Sequence, residues 1–342
     1  MTHRSSIFPF FVALLFFCTI PSLAIADYKD EYKMSVVVGS KLPWGQGAER
    51  FAELVRERTD GRINIKVYPS SSLMAGKQTN EFLIHRQGVA DFCLASTINW
   101  SSSIQELNLF NLPFFFPDYA ALDAVTEGEV GDEIGALLAE KGVTLLAWGE
   151  NGFRELTNSR RPVATPADME GLKIRVVGTP IFIDTMKALG ANPVNMNWGD
   201  AQVAFQQGVV DGQENPVVAI EIPVKIWQFH QYITVWHYVI DPLMLTVNNK
   251  VMASFSEQDQ EIIRQAAQEA ALEQRAIVRK GLIAPDLSAF DLLRENGMEV
   301  TFVDDTARTQ FIEKTMGVRQ SWTEKIGADL VAKAQAAIDA SR

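Results

Sequence analysis

The sequence is poor in the residues on which catalytic and cross-linked proteins most often depend. Of 342 residues only two are cysteine, Cys18 and Cys93, and four are histidine, His3, His85, His230 and His237. Cys18 falls in an N-terminal apolar segment, so Cys93 stands alone in the remainder and an intrachain disulfide there is excluded. HExxH, Cys/His zinc spacing, GxSxG and GxGxxG are all missing. Their absence removes the simplest signatures of metal, nucleophilic and nucleotide chemistry, and the expectation is no metal and no cofactor. Positive charge is scarce as well: 31 Lys and Arg stand against 42 Asp and Glu, a formal net charge of −11. Such a surface argues against nucleic acid and against an anionic membrane as partners. A small anion would need a local positive pocket, which makes inward-facing arginines informative.

Long apolar runs are confined to the beginning. Arg4 supplies a positive start, Ile7 to Phe17 is apolar, and Ala24-Ile25-Ala26 before Asp27 reads as a small-residue cleavage signal. The run is too short for a membrane anchor and is bracketed by Pro9 and Pro21. Residues 1–26 are therefore expected to be a cleaved signal peptide, with a periplasmic mature chain and no direct membrane insertion afterwards. Cys18 follows Phe16-Phe17, which is not a lipoprotein setting. Removing residues 1–26 leaves 316 residues and a net charge near −12, since Arg4 is the only formal charge lost. That length supports two domains with buried cores.

What is present centres on the stretch from Asp168 to Asn215. Leu172, Ile174 and Val176 alternate with Lys173, Arg175 and Val177, a period of two that predicts a short strand. Arg175 is then a permanent cation on a stiff backbone, and its planar fork matches a carboxylate bidentately. Thr179-Pro180 starts a helix that Gly190 ends, and a polar loop from Asn192 to Asp200 carries Trp198. A second helix over about 201–207 leads to Gly212-Gln213-Glu214-Asn215-Pro216. An arginine, an indole and an amide in this order make a candidate ligand site.

The earlier chain reads β-α-β-α-β: strands over 33–39, 63–68 and 89–95, with helices between them. Ligands in such sheets sit beyond the carboxyl ends of the strands, where Lys41, Ser96, Asn99 and Trp100 stand. Leu107 to Phe116 is apolar enough to be a buried crossing segment. A helix is expected over 119–141 and a strand over 143–148, after which the chain leaves the first domain near Gly149-Glu150-Asn151-Gly152. Residues 216–227 read as helix, and 232–239 and 241–247 as strands. Ser256 and Asp259 open a helix expected to run to about Lys280 and to span both domains. Two amphipathic helices end the chain. Trp44, Trp100 and Trp198 lie near strand ends, although core packing is the base-rate reading for each. Arg154 taken alone reads as a surface ion pair.

Five stretches together resemble the solute-binding proteins of tripartite ATP-independent periplasmic (TRAP) transporters, of the DctP kind. They are Gly61-Arg62-Ile63-Asn64-Ile65-Lys66-Val67-Tyr68-Pro69-Ser70, Phe153-Arg154-Glu155-Leu156-Thr157-Asn158, Gly171-Leu172-Lys173-Ile174-Arg175-Val176, Val209-Val210-Asp211-Gly212-Gln213-Glu214-Asn215-Pro216, and Phe255-Ser256-Glu257-Gln258-Asp259-Gln260-Glu261-Ile262-Ile263. The resemblance covers nearly the whole mature chain, and the ordered set carries it rather than any single motif. It implies an α/β, two-domain periplasmic-binding-protein-like fold with a central ligand cleft and a long helix spanning both domains. Domain I would take residues 27–150 and about 241–278, and domain II residues 151–240 and about 279–342. Arg175 resembles the family's carboxylate-clamping arginine and Arg154 its second arginine, which reverses the surface reading of Arg154. Asn215 is similar to the family's amide contact, and Trp198 to its aromatic cover. The resemblance also implies Lys41, Gln78, Ser96 and Asn99 as contacts from domain I, with His237 and Tyr238 from the returning crossover. Sialic-acid-binding members carry an acidic residue about where Ser96 stands, which argues against an amino sugar with a charged or heavily hydroxylated tail here.

The function so implied is capture of a small organic anion and its delivery to a TRAP membrane permease of small and large subunits. No turnover is expected. A secreted hydrolase or lyase using Arg175 with a carboxylate or His237 as base is the contrasting reading, and no nucleophile–base spacing supports it. A sensor module docking on a receptor is a third. The polar set Lys41, Gln78, Ser96 and Asn99 suits a sugar acid such as a uronate or another hydroxy or keto acid. The tryptophans would suit an aromatic acid, and Lys41 or Arg154 as a second cation would suit a C4-dicarboxylate.

Overall fold

The computed structural model describes residues 28–342; the expected signal peptide, residues 1–26, lies outside them. The first part contains β1 (Tyr32–Ser35), α1 (Pro43–Arg58), β2 (Ile65–Tyr68), α2 (Glu81–Arg86), β3 (Phe92–Ser96) and the single turn α3 (Thr97–Trp100). Two helices, α4 (Tyr119–Thr126) and α5 (Glu129–Glu140), replace the one expected, because the chain turns out of helical geometry at Gly128. Next come β4 (Val143–Asn158), β5 (Lys173–Val176), α6 (Pro180–Ala188), β6 (Asn192–Asn195), α7 (Trp198–Gln206), β7 (Gly212–Pro216), β8 (Tyr232–Val235) and β9 (Ile240–Asn248). Where one helix was expected, 217–228 forms a π-helical turn (Val217–Glu221) and a 3-10 turn (Ile226–Gln228) with a turn between them. The chain closes with α8 (Asn249–Ser254), α9 (Glu257–Val278), α10 (Ser288–Glu295), β10 (Glu299–Phe302), α11 (Asp305–Ile326) and α12 (Ala328–Ala340).

The strand order is β2-β1-β3-β9-β4-β7-β5-β6, with β8 pairing β4 and β10 pairing β8. β1 is parallel to β2 and β3, and β5 to β6 and β7, as the βαβ reading required. Two long strands run between these parallel halves. β9 is antiparallel to β3 and β4, and β4 is antiparallel to β7 and β8. At 16 residues, β4 belongs to both lobes: its first part pairs β9 and its last residues pair β7 and β8. The expected exit from the first domain at 149–152 is therefore a continuation. It carries a bulge between Glu150 and Gly152, with Glu150 opposite Pro242 and Gly152 opposite Asp241. Asn151 is the extra residue, and bulges of this kind re-aim a side chain beside a site. Gly152, at φ +113°, takes a backbone conformation that other residues adopt only under strain.

α9 packs on α1 and β4 and also touches Val217–Glu221. Its Gln274 holds the backbone of Glu150 from both sides, Nε2 donating to O (2.6 Å) and Oε1 accepting from N (2.9 Å). Arg279 pairs with the Glu150 carboxylate, so the segment entering the bulge is fixed. α12 lies on α4 and α5. The expected grouping of all residues 279–342 with domain II thus fails for α12, whose buried Leu330, Val331, Ala334 and Ile338 need an apolar surface that α4 and α5 provide. The apolar segment 107–116 is buried as expected.

One core group carries a pH prediction. Glu81 is wholly buried and accepts from Ser35 Oγ (2.9 Å) and Trp100 Nε1 (3.3 Å). Desolvation pushes its pKa from 4.5 up to about 8, against those two hydrogen bonds. The folded chain thus keeps a proton that the unfolded chain releases, and this group's contribution falls as pH rises from 4.5 to about 8. Glu81→Gln has no such proton. Its stability relative to wild type is expected to rise by on the order of 3 kcal/mol between about pH 5 and pH 8, read by urea denaturation at both.

Candidate functional site

Arg175 sits in the middle of β5 between buried Ile174 and Val176, and the pairing of β5 with both β6 and β7 closes the sheet around it. The side chain is 1 % exposed. Nε and Nη2 both donate to the Met196 carbonyl, at 3.1 and 2.8 Å, and the guanidinium lies 5.8 Å from the Trp198 ring centroid. Nη1 has no partner among the described residues, and none of their carboxylates forms a salt bridge with Arg175. Burial accordingly pushes its pKa down to about 10, with the nearby Arg154 acting in the same direction and Glu214 opposing. A guanidinium this deep without a counter-ion is costly unless something anionic completes it.

Arg154, on β4, is in the contrary situation. Its Nε and Nη2 donate to the Glu214 carboxylate, Nη2 also donates to the Glu214 carbonyl (2.7 Å), and Nη1 lies 3.5 Å from Asp241 Oδ2. Burial opposes its charge, but Glu214 and Asp241 outweigh burial and hold it protonated. The Tyr238 hydroxyl donates to the same Glu214 carboxylate at 2.7 Å. Arg154 therefore arrives already neutralised, and Arg175 does not.

Both arginines line a cavity of about 30 Å³ between the lobes. From the first lobe Trp44, Gln78, Ser96 and Asn99 reach it, and from the second Trp198 and Asn215. The lobes meet here through hydrogen bonds. Gln78 donates through Nε2 to Asn99 Oδ1 (2.7 Å) and accepts from the backbone N–H of Trp198 (2.6 Å), while Ser101 and Thr179 hydroxyls are 3.0 Å apart. Trp198 opens α7 instead of lying in a free loop, because Asn192–Asn195 form β6 and shorten that loop.

Seven of the ten residues expected at the site line this cavity: Arg175, Arg154, Asn215, Trp198, Gln78, Ser96 and Asn99. Three do not. Lys41 is exposed, because the turn after β1 directs it to solvent. His237 has φ +50°, packs on the Phe153 ring at 4.5 Å and sits 3.5 Å from Glu155, away from the cavity. Tyr238 stands behind Arg154 as the partner of Glu214. Trp100 is a core residue bonded to Glu81.

Asp241 and Asn151 were not expected. Asp241, 1 % exposed, accepts from Ser96 Oγ (2.6 Å) and Asn151 Nδ2 (2.8 Å) and lines the cavity with them. Burial raises its pKa to about 6, with Arg154, Ser96 and Asn151 opposing. Its position at the head of the 241–247 strand was legible; its facing the cavity depends on pairing with the bulge in β4, which is not a local feature.

The sequence model of bacterial extracellular solute-binding protein family 7 (DctP) matches residues 34–325. The 2,3-diketo-L-gulonate-binding periplasmic protein YiaO of Escherichia coli K12 is 31 % identical over 334 residues, which is 97 % of this chain and 98 % of the relative. A TRAP periplasmic solute-binding protein from Ralstonia eutropha with bound (S)-2-acetolactate is 50 % identical, with a TM-score of 0.90 over 91 % of this chain and 99 % of that one. The sugar acid binding protein DctPAm from Advenella mimigardefordensis, in complex with galactonate, is 28 % identical, with a TM-score of 0.84 over 91 % and 98 %.

Proposed function

We propose that this chain, which belongs to bacterial extracellular solute-binding protein family 7, captures a small hydroxy or keto acid by its carboxylate between the two lobes. The observation that carries this reading is Arg175, a buried cation with no carboxylate partner among the described residues, in a cavity whose other arginine is already paired. A carboxylate entering there meets a bidentate donor in a site of low polarisability, where paired charges attract more strongly than at a surface. The ligands of the three relatives are monocarboxylates with an oxygen on the carbon next to the carboxylate. That chemistry, sugar acids included, is the class we assign to this chain.

Ligand contacts on both lobes favour the form in which they meet, a population shift set by the affinity difference between the open and closed forms. The closed form then docks on a TRAP-type permease in the membrane, with the mature chain free in the periplasm. Gln78, from the first lobe, accepts from the Trp198 backbone N–H of the second, and this bond favours the form in which the lobes meet. Gln78→Ala is expected to weaken acid binding about five- to tenfold while leaving ligand-free stability nearly unchanged, by calorimetric titration beside a thermal melt.

A thermal-shift panel tests the reading. Organic acids are compared with their amides and alcohols, because a ligand of the folded state raises the melting temperature by mass action. Shifts by acids alone support capture through Arg175. Shifts by neutral analogues of equal size, with none by acids, would reject it.

A further inference from the structure

We infer that Asp241 and Asn151 read a hydroxyl group of the ligand and exclude a second carboxylate, so that the site takes hydroxylated monocarboxylates and turns away dicarboxylates. This inference rests on the carboxylate reading of Arg175.

The cavity is lined by groups of two unlike kinds. Arg175 offers only donors, with Nη1 uncommitted. Asp241 contacts Ser96, Asn151 and Arg154 and not Arg175, and it lines the same cavity, within reach of the atoms of an acid seated on Arg175. Ser96 and Asn151 spend donors on Asp241: the Ser96 hydroxyl donates to Oδ1, and the Asn151 amide nitrogen donates to Oδ2. The second bond fixes the amide's orientation, because a carboxylate accepts from the nitrogen and not from the oxygen. Asn151 Oδ1 is left buried with no hydrogen-bond partner among the described residues, on a side chain 2 % exposed that lines the cavity. The bulge in β4 brings that side chain there, and Gln274 and Arg279 hold Glu150 beside it. The lining beside Arg175 therefore includes an amide with an uncommitted acceptor next to a carboxylate.

Either acceptor can be met by a ligand hydroxyl, which has one proton to give. A carboxylate has acceptors only. Placed here it would meet acceptor against acceptor and like charge against like charge. The cation nearest to Asp241 does not relieve this, since Arg154 is held by Glu214 and Asp241 together. Discrimination of this sort comes from the repulsion offered to the wrong ligand as much as from attraction to the right one.

The test compares acids that share a carbon skeleton: 2-hydroxybutyrate with malate, and gluconate with glucarate. Each is titrated calorimetrically into wild type and Asp241→Asn. In the pair that fits the cavity, wild type is expected to bind the monocarboxylate at least about tenfold more tightly than the dicarboxylate. Asp241→Asn keeps the shape and removes the charge, and should cut that preference at least about tenfold. Equal or tighter binding of the dicarboxylate by wild type overturns the inference, and this arm needs no variant to fold. An unchanged ratio in Asp241→Asn overturns it too. If neither monocarboxylates nor dicarboxylates bind wild type at all, the Arg175 reading falls with it, and that outcome is separate from a ratio near one.

Discussion

Arg175→Met is expected to abolish carboxylate binding, by at least about a hundredfold, without destabilising the ligand-free protein. The loss follows from removing a charge-assisted bidentate pair in a buried site, where each such bond contributes about 1.5–3 kcal/mol. The second half is the unusual one. Arg175 is 1 % exposed, and its protein partners are one carbonyl and one ring face, with no carboxylate among the described residues. A buried cation held this way opposes folding, and an apolar side chain of similar length relieves that cost while leaving only the Met196 carbonyl short of donors. Chemical denaturation of the variant should give a stability equal to or above wild type, and calorimetry with the best acid should give no heat of binding. Arg175→Lys, which keeps the charge but not the fork, should fall at least roughly tenfold in affinity. A variant of Arg175→Met that is more than about 2 kcal/mol less stable would mean that the arginine is structural.

Arg154→Met should do the reverse to stability. Glu214 and Asp241 would both lose their cation while remaining buried, and breaking a buried ion pair from one side costs about 3–5 kcal/mol. The Tyr238 hydroxyl still donates to Glu214, but a neutral donor does not replace a guanidinium. Arg154→Met combined with Glu214→Leu should recover part of the loss, since removing both partners leaves fewer charges unpaired. Urea denaturation of the single and double variants reads both effects. Equal stability of wild type and Arg154→Met would refute the division of labour between the two arginines.

That division was only half legible in the sequence. The alternation around Arg175 has a period of two, and β5 forms where it predicts. Glycine and proline placed the helix after it, and Trp198 and Asn215 fall at the ends of the elements that follow. These are local signals, and local signals survived. What failed was non-local. Arg154 reads the same in sequence whether a carboxylate awaits it or not, and Glu214 reaches it only because β4 and β7 pair across the sheet. Asn151 lies between Gly149 and Gly152 in a stretch that resembled an exit from a domain, whereas β4 continues through it with one extra residue. Asp241 is brought to that bulge from 90 residues further along. Lys41 and His237 erred for a different reason: each sits near the site in the chain, but a turn in one case and φ +50° in the other direct the side chain away.

The most direct test of the central claim is a crystal structure of the protein with the acid that gives the largest thermal shift. The account predicts both carboxylate oxygens of the acid within about 3 Å of the Arg175 guanidinium nitrogens, with Arg154 still on Glu214. A carboxylate bound elsewhere in the cavity, with Arg175 contacting only the Met196 carbonyl, would contradict it.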